Sequence, residues 1–183
     1  MNQWVIWFNV MSFSLMFVAF AFTYVGYLSS RKPWLRSYLL YLSTYAFWLL
    51  LLTYGFFRAS YIPGEHAALD LGIGWTRVAV SLLMGYLAPL VVVQVEHGRA
   101  SPRHLLLLGI VPLLTLAAVV LTTTMALPWL AVVLTVAFDG YLLAAAVWGA
   151  VALRRPLPDP RAGSLRAFFR ISIVLYGLAI AYA

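Results

Sequence analysis

Cysteine is absent from the 183 residues of this chain, and charged residues are scarce. Without cysteine there is no disulfide, thiolate metal site, covalent haem attachment or thiol chemistry. Only 9% of the residues are charged, whereas a soluble domain usually carries about 25%. The scarcity of charge indicates that most of the chain faces lipid or other helices.

Apolar residues make up 64% of the chain and form six long segments. A run of about 20 residues, rising ~1.5 Å per residue as helix, crosses a ~30 Å hydrocarbon layer, whereas barrel strands would be ~10 residues long and alternating. The sequence therefore predicts one all-α domain over 1–183, a polytopic transmembrane helix bundle. Its segments cover residues 4–28, 38–57, 71–95, 105–125, 128–153 and 167–183.

The distribution of the 12 Lys and Arg predicts the orientation. The second link sets Arg58 against Glu65 and Asp70, and the fourth link has no charge. Because cytoplasmic links collect basic residues, we expect links one, three and five on the inner side of a bacterial inner membrane and the amino terminus outside. The basic residues of these three links are Arg31, Lys32, Arg36, Arg99, Arg103, Arg154, Arg155, Arg161, Arg166 and Arg170.

The sixth segment is too short for a complete crossing. After Arg170 the sequence continues for 13 residues, about 20 Å as helix, against the ~30 Å of a hydrocarbon core. Either the sixth helix stops inside the bilayer, or the chain continues beyond Ala183 with a seventh helix and an output domain, which is the arrangement we expect.

Three segments carry a stripe of small and polar residues at spacings of three and four, which places each stripe on one helix face. Close packing of small residues drives helix association in lipid, so these faces predict the interior. The stripes are Asn9, Ser12, Met16, Ala19, Thr23 and Gly26; Gly74, Val78, Ser81, Gly85 and Ala88; and Thr135, Asp139, Leu142, Ala146 and Gly149. Phe13, Phe17, Phe20 and Phe22 are expected to face lipid.

Asp139 is the main candidate for a ligand-binding or switch residue. It lies about 16 Å into the fifth segment, and ionisable groups at that depth often have functional roles. It would contact a ligand, act as a proton-linked switch or hold a cation; alternatively it is a neutral carboxyl hydrogen-bonded to Ser81 or Tyr141. Arg77 would either extend towards the surface or turn inward to Asp139 or an anionic ligand. Ser81 and Asn9 complete the candidate set.

No cofactor, metal or catalytic site is predicted. His66, His97 and His104 fall in the links, where solvated loop histidines are expected. The single lysine, Lys32, also lies in a link, so a retinal Schiff base is excluded. No nucleophile and base are brought together by any local motif, so we expect no enzyme, and nothing predicts nucleic-acid contact from this segment.

Four stretches resemble those of a known family, and all four contain aromatic residues. The chain is similar to the seven-helix membrane sensor module at the amino terminus of LuxR-type helix-turn-helix regulators, and loosely to that of membrane histidine kinases. The resemblance implies a sensing role with a poorly defined ligand, so no ligand residue is carried over. The stretches are Arg31 to Leu40, Tyr86 to Leu90, Phe138 to Tyr141 and Arg166 to Ser172.

The sequence thus favours an integral membrane sensor, the input module of a membrane-bound transcription regulator or kinase. A small-solute transporter or substrate-binding membrane subunit is the alternative, and a membrane scaffold without a ligand is a third. The expected partners are the lipid bilayer and an unknown small ligand or membrane signal. A homodimer is compatible with the sequence, which fixes no oligomeric state.

Overall fold

A computed structural model describes residues 3–61, 67–125, 128–152, 154, 165–167 and 169–174, and within this part the chain is helical apart from short links. Residues 165–167 and 169–174 are also helical, and no strand occurs in the described residues. The predicted all-α fold is confirmed. The five helices with defined bounds are α1 (Gln3–Ser30), α2 (Pro33–Tyr61), α3 (Ala67–His97), α4 (Pro102–Met125) and α5 (Pro128–Ala152).

The first link is shorter than the apolar pattern predicted. Proline occupies the first position of α2, where its missing N–H is not needed. The Lys32 carbonyl accepts the backbone N–H of Leu35 at 3.2 Å, and Arg31 reverses the chain in the left-handed region at φ 53°. Hydrophobicity alone underestimates the length of these helices, because polar and aromatic residues continue each helix beyond its apolar run.

All five helices contain a stretch long and apolar enough to cross a membrane. Many of their large apolar side chains are exposed in the protein itself, with Phe22 at 76% and Leu106 at 74%. Exposing such apolar surfaces to water would cost free energy, whereas the hydrocarbon chains of a lipid bilayer cover them favourably. The candidate spans are Val10–Ser30, Pro33–Gly55, Ala68–His97, Pro102–Thr124 and Val132–Ala152.

The chain divides into two compact units, Met1–Met84 and Gly85–Ala183, which are described separately. In the first unit α1 packs against α2. The predicted interior stripe of α1 is confirmed at Met16, Thr23 and Gly26, which are buried, while Phe17 and Phe22 are exposed as expected. The side chain of Asn9 lies outside the described residues.

The second unit contains the most buried helical stretch of the described chain. Every residue from 87 to 93 in α3 is buried, as expected for a stretch that is apolar on all sides. The helix α4, which packs against α5, shows the opposite pattern, with Leu106, Leu107 and Leu113 among its exposed side chains. The second half of α3 is therefore the most continuously buried helical stretch that the structure describes in this unit.

Candidate functional site at the crossing of α3 and α5

A proline inside α3 leaves one backbone carbonyl without its helical partner. Pro89 has no N–H, so it cannot donate to the carbonyl four residues earlier, which belongs to Gly85. Both residues are buried. A buried carbonyl without a donor is costly, and within a membrane no water replaces the missing bond.

The missing bond is supplied by the side chain of Tyr141 in α5. Its hydroxyl donates to the Gly85 carbonyl oxygen at 3.0 Å. Proline-containing membrane helices are tolerated when a neighbouring helix satisfies the freed backbone group, and Tyr141 does this here.

Glycine at position 85 allows this close approach. A Cβ atom there would lie 2.8 Å from Cζ and 2.9 Å from Cε2 of Phe138, closer than carbon atoms pack. The Phe138 and Tyr141 rings, with centroids 6.2 Å apart, lie on the same side of α5. We refer to Gly85, Pro89, Phe138 and Tyr141 as the α3–α5 crossing.

Asp139 follows Phe138 directly and is half-buried. Among the described residues its carboxyl has no hydrogen bond or ion pair. The Tyr141 hydroxyl donates to the Gly85 carbonyl oxygen, and a hydrogen bond between a neutral Asp139 carboxyl and Ser81 or Tyr141 stays a prediction. Arg77 and Ser81, both partly buried on α3, belong to the first unit, and their pairing with Asp139 stays a prediction.

The predicted interior face of α5 is confirmed over its second half and wrong at its start. Leu142, Ala146 and Gly149 are buried, whereas Thr135 is exposed. A Cβ atom at Gly149 would lie 2.8 Å from three ring atoms of Phe169, so the helical residues around Phe169 pack directly on this glycine. On α3, Gly85 and Ala88 are buried as predicted, but Gly74 is exposed.

The first unit contains an ion pair that the sequence did not predict. Arg58 was expected in the second link, but α2 continues to Tyr61 and buries Arg58 to 7% exposure. Its guanidinium pairs with the carboxylate of Asp70 at the start of α3. The opposing charges were visible in the sequence, but the helix end was placed too early to show that they face each other.

Two histidines expected in a loop lie in helices instead. His97 ends α3 and His104 lies in the first turn of α4, with ring centroids 5.3 Å apart. Each helix extends beyond its apolar run, which explains the difference. No group of three or more His, Cys, Asp or Glu side chains suited to a metal occurs in the described part of the chain. His66 lies outside it.

These features define the class of the molecule as a multi-pass, all-helical membrane protein. A scan of family models and searches of curated proteins and of solved structures find no match to this chain.

Proposed function

We propose that this chain is the sensor module of a membrane signalling protein, the input part of a membrane-bound transcription regulator or kinase. The observation that supports it is the hydrogen bond from Tyr141 to the carbonyl that Pro89 frees. A sensor requires two arrangements whose balance a signal can shift. A helix that contains an internal proline and is hydrogen-bonded to its neighbour through a side chain would form a joint with two such arrangements.

Movement at this joint would be passed to the end of α3 at His97. From Gly85 to His97 the helix extends about 18 Å, so a tilt of about 10° displaces that end by about 3 Å. Arg99, in the link beyond it, and Arg103, at the start of α4, lie on the side predicted to be cytoplasmic. An output domain on that side would detect the displacement.

Asp139 is the proposed input residue. Asp139 is half-buried and follows Phe138 in the chain, and the Phe138 ring fills the space left by Gly85. Ionisable groups inside membrane spans are costly and usually functional. A cationic or hydrogen-bonding ligand, or a proton, that binds this carboxyl would change the packing of α5 at the crossing.

The absence of cysteine makes a direct test simple. Spin labels on cysteines at the exposed positions Arg99 and Arg154 report the distance between the ends of α3 and α5 in lipid nanodiscs. We expect two distance populations, with Tyr141→Phe raising the minor one and Asp139→Asn changing their ratio. Tyr54→Phe, an exposed tyrosine in α2, is the matched control and should change nothing. A single distance unchanged by Tyr141→Phe would contradict the proposal.

A proton- or cation-coupled small-solute transporter is the second candidate. It is favoured by the Asp139 carboxyl, which has no partner among the described residues. Intramembrane carboxylates mark ion and proton pathways. Reconstituted vesicles with an internal pH dye and an imposed potassium diffusion potential should then show proton flux that Asp139→Asn abolishes. Vesicles without flux, with the distance change present, favour the sensor.

A further inference from the structure

The turn between α3 and α4 is closed by a specific arrangement of side chains. The helix α3 ends at His97, and Gly98 follows in the left-handed conformation at φ 74°, which ends helices commonly. Ser101 then caps α4: its carbonyl accepts the Leu105 N–H at 3.1 Å, and Pro102 occupies the first helical position. We refer to residues 97–104 as the histidine turn.

Ser101 and His104 exchange two hydrogen bonds. The His104 backbone N–H donates to the Ser101 Oγ at 3.3 Å, and the Ser101 backbone N–H donates to the His104 Nδ1 at 3.4 Å. This is the reciprocal pattern of a capping box, with histidine where Glu or Gln usually stands. Because the donor is a backbone N–H, Nδ1 of His104 must carry a lone pair and no hydrogen.

His97 has the opposite requirement. Its Nδ1 lies 3.3 Å from the Val93 carbonyl oxygen, which can only accept, so this nitrogen must carry a hydrogen. The two imidazole rings are 5.3 Å apart between centroids. A proton added to His97 preserves its bond to Val93, whereas a proton added to His104 removes the acceptor that Ser101 uses.

The charged groups of this region are predominantly basic. Within the histidine turn and the residue before it they are Glu96, Arg99 and Arg103, all exposed. Arg154, which follows α5, and Arg166 and Arg170, in the helical residues 165–167 and 169–174, belong to the same unit. A positive charge on the His104 ring would therefore enter a region with excess positive charge, at a helix amino terminus that already favours negative charge.

We infer that the histidine turn is a pH-sensitive joint, closed while His104 is neutral and opened when that ring gains a proton. Histidine is the side chain that changes charge between about pH 5 and 8. Protonation would place the new Nδ1–H against the Ser101 N–H, two donors facing each other, and would remove one of the two reciprocal bonds that cap the first turn of α4. This inference does not depend on the sensor proposal.

Amide hydrogen exchange of the full chain in lipid nanodiscs tests the inference. The amides of Ser101, His104 and Leu105 depend on the cap, so their protection, corrected for the intrinsic pH dependence of exchange, should fall about fivefold between about pH 8 and pH 5.5, the factor expected for loss of one helix cap. Protection of residues 87–93, buried in α3, should stay constant. Unchanged protection in the turn would overturn the inference.

Two variants identify the responsible ring. Glutamine at position 104 accepts the Ser101 N–H through its amide oxygen and does not titrate, so His104→Gln should keep full protection at both pH values. His97→Gln should retain the pH dependence, because the bond that is lost belongs to His104. If His104→Gln were as pH-sensitive as the unaltered chain, or if His97→Gln alone removed the effect, the inference would be wrong.

A spectroscopic measurement is independent of helix stability. Nitrogen-15 chemical shifts of the imidazoles at about pH 8 should show His97 with its hydrogen on Nδ1 and His104 with its hydrogen on Nε2. The reverse assignment for His104 would contradict the capping-box geometry directly.

Discussion

Gly85 and Gly149 occupy positions that no larger residue fits, because aromatic rings of other helical segments fill the space beside them. At both positions the closest ring atoms, of Phe138 and Phe169 respectively, would lie 2.8 Å from an added Cβ. Gly74 and Gly140 have nothing within 4 Å of that atom. The packing at Gly85 and Gly149 is therefore specific to glycine, while at the other two positions the glycine has no steric partner.

We expect Gly85→Ala to destabilise the folded protein by about 1–3 kcal/mol, because Phe138 must move for the methyl group to fit. Thermal unfolding in detergent, followed by tryptophan fluorescence, measures the effect as a lower Tm. Gly74→Ala on the same helix is the matched control and should be neutral or slightly stabilising, since alanine is the better helix former.

A smaller residue at position 138 should relieve this strain. Combined with Phe138→Leu, the alanine at 85 should cost less than it does alone, and the double-mutant cycle measures the coupling. Additive effects of the two substitutions would show that the ring and the glycine do not restrict each other.

At the scale of the helix, Pro89 and Tyr141 act as a pair. Tyr141→Phe leaves the Gly85 carbonyl buried without a donor, and we expect a loss of about 1–3 kcal/mol in the free energy of unfolding. Pro89→Ala restores the backbone N–H that donates to the same carbonyl. In that background the loss caused by Tyr141→Phe should be clearly smaller.

Unfolding of the four proteins of this cycle, measured under one detergent condition, gives the coupling energy. Tyr54→Phe is the control for loss of a tyrosine hydroxyl at an exposed site. An equal cost of Tyr141→Phe with and without Pro89 would mean that the hydroxyl does not replace the missing helical bond.

At the scale of the whole molecule, the predicted orientation places the link between α3 and α4 inside the cell and the end of α4 outside. Single cysteines at Arg99 and Thr123, both exposed and otherwise in a cysteine-free chain, test this placement. In intact cells with a permeable outer membrane, a charged maleimide should label position 123 and not position 99. The reverse pattern would invert the orientation.

The sequence predicted the helical architecture because apolar runs of membrane length are readily recognised, and it predicted the interior of α1 because Met16, Thr23 and Gly26 share one face. It did not predict that Tyr141 bonds to Gly85, which are 56 residues apart, because contacts between helices depend on rotation and depth. The proline provided a signal: it frees a carbonyl four residues earlier, so a donor could have been sought. The burial of Arg58 was not predicted, because the apolar pattern ended the second segment at residue 57 whereas α2 continues to Tyr61.

The ring of Phe169 against Gly149 also has a mechanical consequence. Because Gly149 has no side chain, the Phe169 ring occupies a gap one residue wide on the surface of α5. The helix α5 therefore cannot slide along the helical residues 169–174 unless the ring first leaves this gap. Displacement of α5 along its axis would therefore move Phe169 and the adjoining Arg170 with it. In the proposed sensor, a disturbance beside Phe138 would thus reach Arg170 through this contact as well as the end of α3.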